Sequence, residues 1–222
     1  AAARGEAADL AARAAALYRD EVRRADAAFG ELLAALEARG LLSELAVVIV
    51  SDHGEHMAEE RLEPSLWFGH SDVYDEACRV PLIVGVPDER DPEVISEQVC
   101  TKDIAIRLLR TARVSTDWAP YVNRAESPRP VVVEPNPHMP VEGTALRAGR
   151  WKLIARPGAR LELYDLAADP GETSNIVDAH RPLADSLGAE MARIVQGWGP
   201  PETPDEPDAA TREMLRSLGY LE

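Results

Sequence analysis

The chain has 222 residues, of which 45% are hydrophobic, and its 39 acidic and 24 basic side chains give a formal net charge of −15. This length and composition suit a globular domain with a subdomain, and the negative charge excludes nucleic acid and anionic membranes as expected partners, since phosphate binding needs clustered Lys and Arg. An anionic substrate would need a bound cation or local basic groups. No apolar run approaches the roughly 20 residues of a membrane span, so no membrane-spanning helix is expected.

The first half of the chain alternates helical and strand patterns. Residues 8–39 predict a packed helix because apolar side chains recur near one face, and Gly40 is placed to end it. Two continuous apolar runs, 46–50 and 81–86, predict strands covered on both faces of a parallel sheet. Shorter helical patterns are found at 72–78 and 103–110. This alternation favours an α/β fold, part of a doubly wound, mostly parallel sheet with flanking helices.

The second half has a different character. Residues 131–133 predict one short strand, and two alternating runs on either side of 156–159 predict a hairpin with its turn there. An amphipathic helix follows, marked by Leu183, Leu187, Met191 and Ile194. We therefore expect a small C-terminal antiparallel sheet-and-helix subdomain. The predicted units are residues 1–125 for the α/β part, 126–200 for the subdomain, and 201–222 for a Pro-rich acidic linker and a terminal helix.

The stretch Ser51-Asp52-His53-Gly54-Glu55 directly follows the first predicted strand. Ligands of open α/β sheets bind beyond the carboxyl ends of strands, and a carboxylate next to an imidazole suits a divalent cation. Gly54 permits the turn that would bring both side chains to one ion. The spacing alone also fits a helix-capping box from Asp52 to Glu55, without any metal.

His70 lies on a Gly-containing loop before a predicted helix, and such loops often carry function. A His near a cation could donate a hydrogen bond or a proton to a leaving oxygen, although a surface role is the simpler interpretation of His70 taken alone. We interpret His56 as a polar surface residue. Asp75 and Arg79 have the spacing of a helical ion pair.

Together these stretches resemble a known family. The segments "VVIVSDHGEHM" and "FGHSDVYDEACRVPLIVGVP" resemble the strand, S-D-H-G-E, Gly-His and R-V-P-L-I pattern of sulfatases, within the alkaline phosphatase superfamily. Upstream, "YRDEVRRADAAFGELLAALEARGLL" looks like the helix that precedes this strand. Downstream, "TALRAGRWKLIARPGARLELYDLAADPGETSNI" looks like the family's C-terminal subdomain. The resemblance covers most of residues 18–222.

The resemblance implies roles for three residues. Asp52 and His53 match metal ligands, in a site that usually holds Ca²⁺ in sulfatases, with Mg²⁺, Mn²⁺ or Zn²⁺ as alternatives. His70 matches a catalytic and substrate-binding position that contacts the sulfate oxygens and assists the leaving group. The implied activity is hydrolysis of sulfate esters. The compartment is left open; the family favours the periplasm or the cell exterior, with the cytoplasm as the alternative.

Part of the family's pattern is missing. The formylglycine nucleophile of sulfatases arises in a C-x-P-x-R motif, which is absent here, because Pro81 stands one position too late after Cys78. We therefore expect the chain to be the C-terminal portion of a longer enzyme and to be inactive alone. The alternatives are a phosphodiesterase, phosphonate monoester hydrolase or phosphoethanolamine transferase acting on phosphate-type esters, or a non-catalytic binding module. "AEERLEP" at 58–64, where relatives often carry a second His, supports the last.

Overall fold

The computed structural model describes residues 2–57, 68–70, 72–87, 92–114, 129–134 and 143–197, together with Arg212, Met214 and Arg216. Helices and strands alternate in its first half, and strands dominate the start of its second half, which confirms the α/β class. In chain order the elements are α1 (Ala2–Ala38), a 3-10 helix (Leu42–Glu44), β1 (Val47–Val50), β2 (His56–Met57), β3 (Phe68–Gly69), α2 (Asp75–Cys78), β4 (Leu82–Gly85), α3 (Lys102–Thr111), β5 (Val131–Val133), β6 (Thr144–Ala148), β7 (Trp151–Ala155), β8 (Glu162–Asp165) and α4 (Arg181–Gln196).

Helix α1 ends where the sequence predicts. Gly40 has φ +70°, a left-handed conformation that glycine adopts without a side-chain clash. The Leu41 amide donates to the Leu36 carbonyl at 3.0 Å, and the Gly40 amide donates to the Glu37 carbonyl at 2.9 Å. This pair of hydrogen bonds is a Schellman motif, which satisfies carbonyls that the helix end would otherwise leave open.

The apolar face of α1 is much more exposed than its sequence pattern predicts. Tyr18, Val22 and Leu32 expose 44%, 51% and 53% of their surfaces. Phe29, Leu33 and Leu36 are half-buried. The prediction of a packed helix is therefore wrong for most of α1 in this chain, and it holds only toward the C-terminal end.

Strands β1 and β4 pair antiparallel, with Val47 opposite Gly85 and Val50 opposite Leu82. The prediction of a parallel arrangement with both faces covered is wrong for this pair. Val50 and Ile83 expose 41% and 60% of their surfaces. The direction is possible because mostly parallel sheets commonly include an antiparallel strand, and a continuous apolar run does not encode strand direction.

The C-terminal subdomain is built on a four-stranded antiparallel sheet with the order β5-β6-β7-β8. Residues 131–133 form a strand as predicted, and the turn at 156–159 is confirmed by an Ala159 amide that donates to the Arg156 carbonyl. The sequence interpretation missed a second hairpin between β6 and β7. Ala148 pairs with Trp151 across a two-residue loop, and Gly149 has φ +59°. Glycine at this position is typical of type II′ turns.

Two buried clusters stabilise this sheet from opposite sides. One face packs against the segment before α2, where Val73 and Tyr74 join Ala145, Ile154 and Tyr164. The other face packs against α4, the predicted amphipathic helix, and that cluster comprises Leu153, Leu163, Val177 and Ala184, with Leu183, Leu187 and Met191 at its edge. The segment 72–78 thus connects the site loops of the first half to the sheet of the second half.

Several predicted features fall outside the described residues. These are the unit boundaries near 125 and 200, the linker, and the segment 58–64. Of the predicted terminal helix, Arg212, Met214 and Arg216 are helical. Among the described residues, none of the helices combines the length and apolar character that crossing a bilayer needs.

Candidate active site

The loop after β1 turns sharply through a local set of hydrogen bonds. The Ser51 hydroxyl donates to the His53 carbonyl at 2.6 Å, and the His53 amide donates to Asp52 Oδ1 at 3.0 Å. As a result, Asp52 Oδ1 lies 3.7 Å from His53 Nε2, so both side chains can contact one ion. The capping-box alternative is wrong, because residues 51–55 lead into strand β2 and not into a helix.

Gly54 is held in a space that admits no side chain. Its amide donates to the Ala77 carbonyl of α2 at 2.8 Å. A Cβ atom built on Gly54 would lie 1.8 Å from the Glu76 carbonyl oxygen, and real Cβ atoms essentially never come within 3.0 Å of a neighbour. The loop and α2 are thus in backbone-to-backbone contact, which only glycine permits here.

Glu55 connects this loop to strand β3, which ends just before His70. One carboxylate oxygen of Glu55 accepts a hydrogen bond from the Gly69 amide, next to the β2–β3 pair in which His56 lies opposite Gly69. The other oxygen lies 3.9 Å from His70 Nδ1. Gly69 has φ +117°, which favours glycine at the residue that precedes His70.

His53 and His70 lie together although the chain separates them by two short strands. Their rings stack with centroids 3.5 Å apart and planes inclined by 19°. One donor atom from each of His53, Glu55 and His70 falls within 4.8 Å of the other two. All three side chains are partly accessible, so a ligand can approach the cluster from solvent.

The donor atoms around His53 fit a divalent cation. His53 Nδ1 lies 2.8 Å from the Gly54 carbonyl, so the tautomer that donates there leaves Nε2 open toward Asp52. His70 Nδ1 is buried and has no hydrogen-bond partner among the described residues, which leaves a nitrogen that a ligand could satisfy. Two imidazoles with carboxylates are a donor set for several divalent metals. Asp52 stands outside the three-residue cluster, its side chain 88% exposed.

The sequence interpretation did not assign Glu55 to this site. The available signal was its spacing, because residues i and i+2 of an extended chain face the same side and Glu55 stands two residues after His53. Two further interpretations are wrong. His56 is 1% exposed and not a surface residue. Asp75 makes its ion pairs with Lys152 at 2.8 Å and Arg147 at 2.9 Å, and not with Arg79, because α2 ends only three residues after Asp75 and turns its first side chain toward the C-terminal sheet.

Cys78 does not supply a nucleophile in this arrangement. Burial, together with the nearby carboxylates of Asp75, Glu172 and Asp72, raises the pKa of its thiol to about 12, although Lys152 acts in the opposite direction. The thiol is therefore protonated at neutral pH, whereas the thiolate is the reactive form.

Comparison with known proteins identifies relatives of this chain. The family model described as Sulfatase matches residues 2–114. Arylsulfatase K of Gallus gallus is 29% identical over 200 residues, which cover 81% of this chain and 36% of that protein. Choline-sulfatase of Rhizobium meliloti (strain 1021) is 28% identical over 169 residues, which cover 70% of this chain and 31% of that protein.

Solved structures show the same fold. A protein in complex with its substrate D-glucosamine-2-N,6-O-disulfate matches with a TM-score of 0.64 and 24% identity, over 81% of this chain and 39% of its own. The phosphonate monoester hydrolase of Agrobacterium radiobacter matches with a TM-score of 0.60 and 18% identity, over 76% and 38%. The chain thus spans about a third of the length of the curated relatives that it matches. The Sulfatase family model, however, matches half of the residues of this chain. The chain therefore belongs to the sulfatase family.

Proposed function

We propose that this chain is part of a metal-dependent hydrolase of sulfate esters. The observation that carries the proposal is the convergence of His53, Glu55 and His70, from loops on either side of the β2–β3 pair, next to the exposed carboxylate of Asp52. The curated relatives are sulfatases, and their matches cover 81% and 70% of this chain. We expect the 222 residues alone to release no sulfate, because no C-x-P-x-R nucleophile motif occurs in them.

Each side chain has a separate task in the proposed reaction. Asp52 and His53 would hold a divalent cation, with Ca²⁺ expected from the family and Mg²⁺, Mn²⁺ or Zn²⁺ as alternatives. When bound, the cation stabilises negative charge that develops on the sulfuryl oxygens. His70 binds the sulfate group and donates a hydrogen bond or a proton toward the leaving oxygen. Glu55 lies 3.9 Å from His70 Nδ1, and its other carboxylate oxygen accepts the Gly69 amide, so it fixes the backbone just before His70.

The test is sulfate release from an aryl sulfate by the chain when it is produced together with the polypeptide that adjoins it in its coding region. We expect Asp52→Ala to lower kcat/KM by at least about a hundredfold, since it would remove one of the proposed metal ligands. We expect His70→Gln to lower kcat more than it raises KM, because the amide cannot transfer a proton.

His180→Ala is the matched control, because His180 is an exposed histidine at the start of α4, distant in sequence from the site loops. It should keep activity close to that of the unchanged protein. Full activity of Asp52→Ala both with and without a chelator would contradict the proposed metal role.

A second candidate is hydrolysis of phosphonate monoesters, which the fold match to the Agrobacterium radiobacter hydrolase favours. The same donor cluster would serve a phosphoryl centre, since both reactions develop negative charge on oxygens bound to the central atom. Measuring kcat/KM for an aryl sulfate and an aryl phosphonate monoester in parallel separates the two candidates. Activity toward neither ester, combined with metal binding, would instead favour a non-catalytic binding module.

A further inference from the structure

A charged cluster with a fully buried centre lies between α2 and the C-terminal sheet. Lys152 on β7 is 0% exposed and Glu172 is 1% exposed. The Lys152 ammonium lies 2.8 Å from Asp75 Oδ1 and 2.8 Å from Glu172 Oε1. Arg147 on β6 lies 2.9 Å from the other Asp75 oxygen. Two cations and two carboxylates thus balance within one network, as buried charges require.

The backbone of Glu172 shows that this cluster is strongly determined. Glu172 has φ +50°, a left-handed conformation that non-glycine residues rarely adopt and that persists where surrounding contacts impose it. In this conformation its Oε2 accepts a hydrogen bond from the Asp75 amide at 2.6 Å. Glu172 therefore contacts both the first residue of α2 and Lys152.

A short series of contacts leads from this cluster to the candidate active site. Asp75 is the first residue of α2, and the Ala77 carbonyl in the same turn accepts the Gly54 amide at 2.8 Å. Because the Glu76 carbonyl fills the space beside Gly54, α2 cannot shift toward the loop. The Gly54 carbonyl in turn lies 2.8 Å from His53 Nδ1. The position of α2 thus sets the position of the loop that carries Asp52 and His53.

We propose that Lys152 is a positioning residue for the candidate active site, acting through Asp75 and Glu172 on α2 and through α2 on the 51–55 loop. The C-terminal sheet then sets the geometry of His53 and its neighbours without contributing a group that touches the substrate. The description of this site as an active site rests on the proposed function. The structural link from Lys152 to the 51–55 loop does not, because it is a property of the folded chain.

The test compares NMR spectra of the folded chain with those of Lys152→Arg, which keeps the charge but replaces a compact ammonium by a larger planar group. We expect the Gly54 amide signal and the imidazole C–H signals of His53 and His70 to shift. A change in stability alone does not move the chemical shifts of the folded population. Arg181→Met, which removes an exposed ion pair on α4, is the control and should leave these signals in place.

Arg147→Gln is the second variant, because Arg147 contacts Asp75 from the partly exposed edge of the cluster and its loss disturbs the fold less. It should shift the same signals by smaller amounts. If Lys152→Arg does not fold, the proposal is tested with Arg147→Gln alone. Unchanged Gly54, His53 and His70 signals in a folded variant whose Asp75 and Glu172 signals have moved would overturn the proposal. Failure to hydrolyse sulfate esters would instead count against the proposed function and would leave these shifts unaffected.

Discussion

Gly54 is the residue on which the shape of the 51–55 loop depends most directly. Its replacement by Ala would place a methyl group against the Glu76 carbonyl, so the loop or α2 must move. We expect Gly54→Ala to lower the free energy of unfolding by about 1–3 kcal/mol, the usual range for forced overpacking. Chemical denaturation followed by circular dichroism measures this change.

Gly30→Ala is the matched control for that measurement. Gly30 lies within α1, and a Cβ there meets nothing within 4 Å. This variant should be stabilising by roughly 0.5–1 kcal/mol, because alanine loses less backbone entropy in a helix. If Gly54→Ala were equally harmless, the close approach of the loop to α2 would be wrong.

At the residue scale, we expect Tyr74 to make the stability of the folded chain depend on pH. Burial and the hydrogen bond that its hydroxyl donates to Glu162 at 2.7 Å together raise its pKa from 10.0 to about 12. The folded state therefore prefers the protonated phenol. Its contribution to stability is complete below pH 10 and is lost as the pH rises from about 10 through about 12, by roughly 2–3 kcal/mol in total.

Alkaline unfolding of Tyr74→Phe tests this dependence. The variant should lose less stability between pH 10 and 12 than the unchanged chain, since phenylalanine has no proton to release. Tyr18→Phe, at a 44% exposed position on α1, is the control and should follow the unchanged chain. Identical pH profiles for Tyr74→Phe and the unchanged chain would rule out Tyr74 as the source.

At the residue scale, the sequence assigned His53 and His70 to one candidate site, and the structure brings the two rings into contact. The sequence did not predict the place of Glu55, because a D-x-x-E spacing is the same in a capping box and in a turn that leads into a strand. It also misjudged His56. A polar residue in a short strand gives no local signal of burial, which depends on the elements that pack over it.

At the scale of elements, α2 is held against β7 by buried ion pairs of Lys152 with Asp75 and Glu172. We expect Lys152→Met to lower the free energy of unfolding by roughly 3–5 kcal/mol, because it leaves the buried carboxylates of Asp75 and Glu172 without a central cation. Urea denaturation measures the change. Arg181→Met, which breaks an exposed pair with Asp185, should change stability by less than about 1 kcal/mol. Equal effects of the two variants would contradict a structural role for the cluster.

The positions of most elements could be predicted, whereas their pairing could not. Helix α3, strand β5 and helix α4 follow from spacing and apolar periodicity, which are local properties of the sequence. The antiparallel pairing of β1 with β4 depends on the path of the chain between them. The hairpin at Gly149 was missed because the apolar alternation continues on both sides of the turn.

At the scale of the whole molecule, the apolar faces of α1 and of the β1–β4 pair are open. An apolar groove of about 250 Å³ lies between them and is lined by Leu33, Leu45, Val47 and Ile83, among others. Exposed apolar patches of this kind promote association. We expect the chain to self-associate at high concentration, and Ile83→Lys, at a 60% exposed position, to reduce this association in sedimentation velocity. A chain that stays monomeric at all concentrations would contradict this expectation.

The net charge of −15 also affects the whole molecule, because it opposes the approach of a sulfate ester unless positive charge is present at the site. In the proposed function, a cation bound by Asp52 and His53 would supply that charge. The most direct measurement is calorimetric titration of Ca²⁺ and Mn²⁺ into the metal-stripped protein. Saturable binding of at least one ion, weakened at least about tenfold by His53→Ala and unchanged by His180→Ala, is the predicted result. No saturable binding of either ion, or equal binding by His53→Ala, would contradict it.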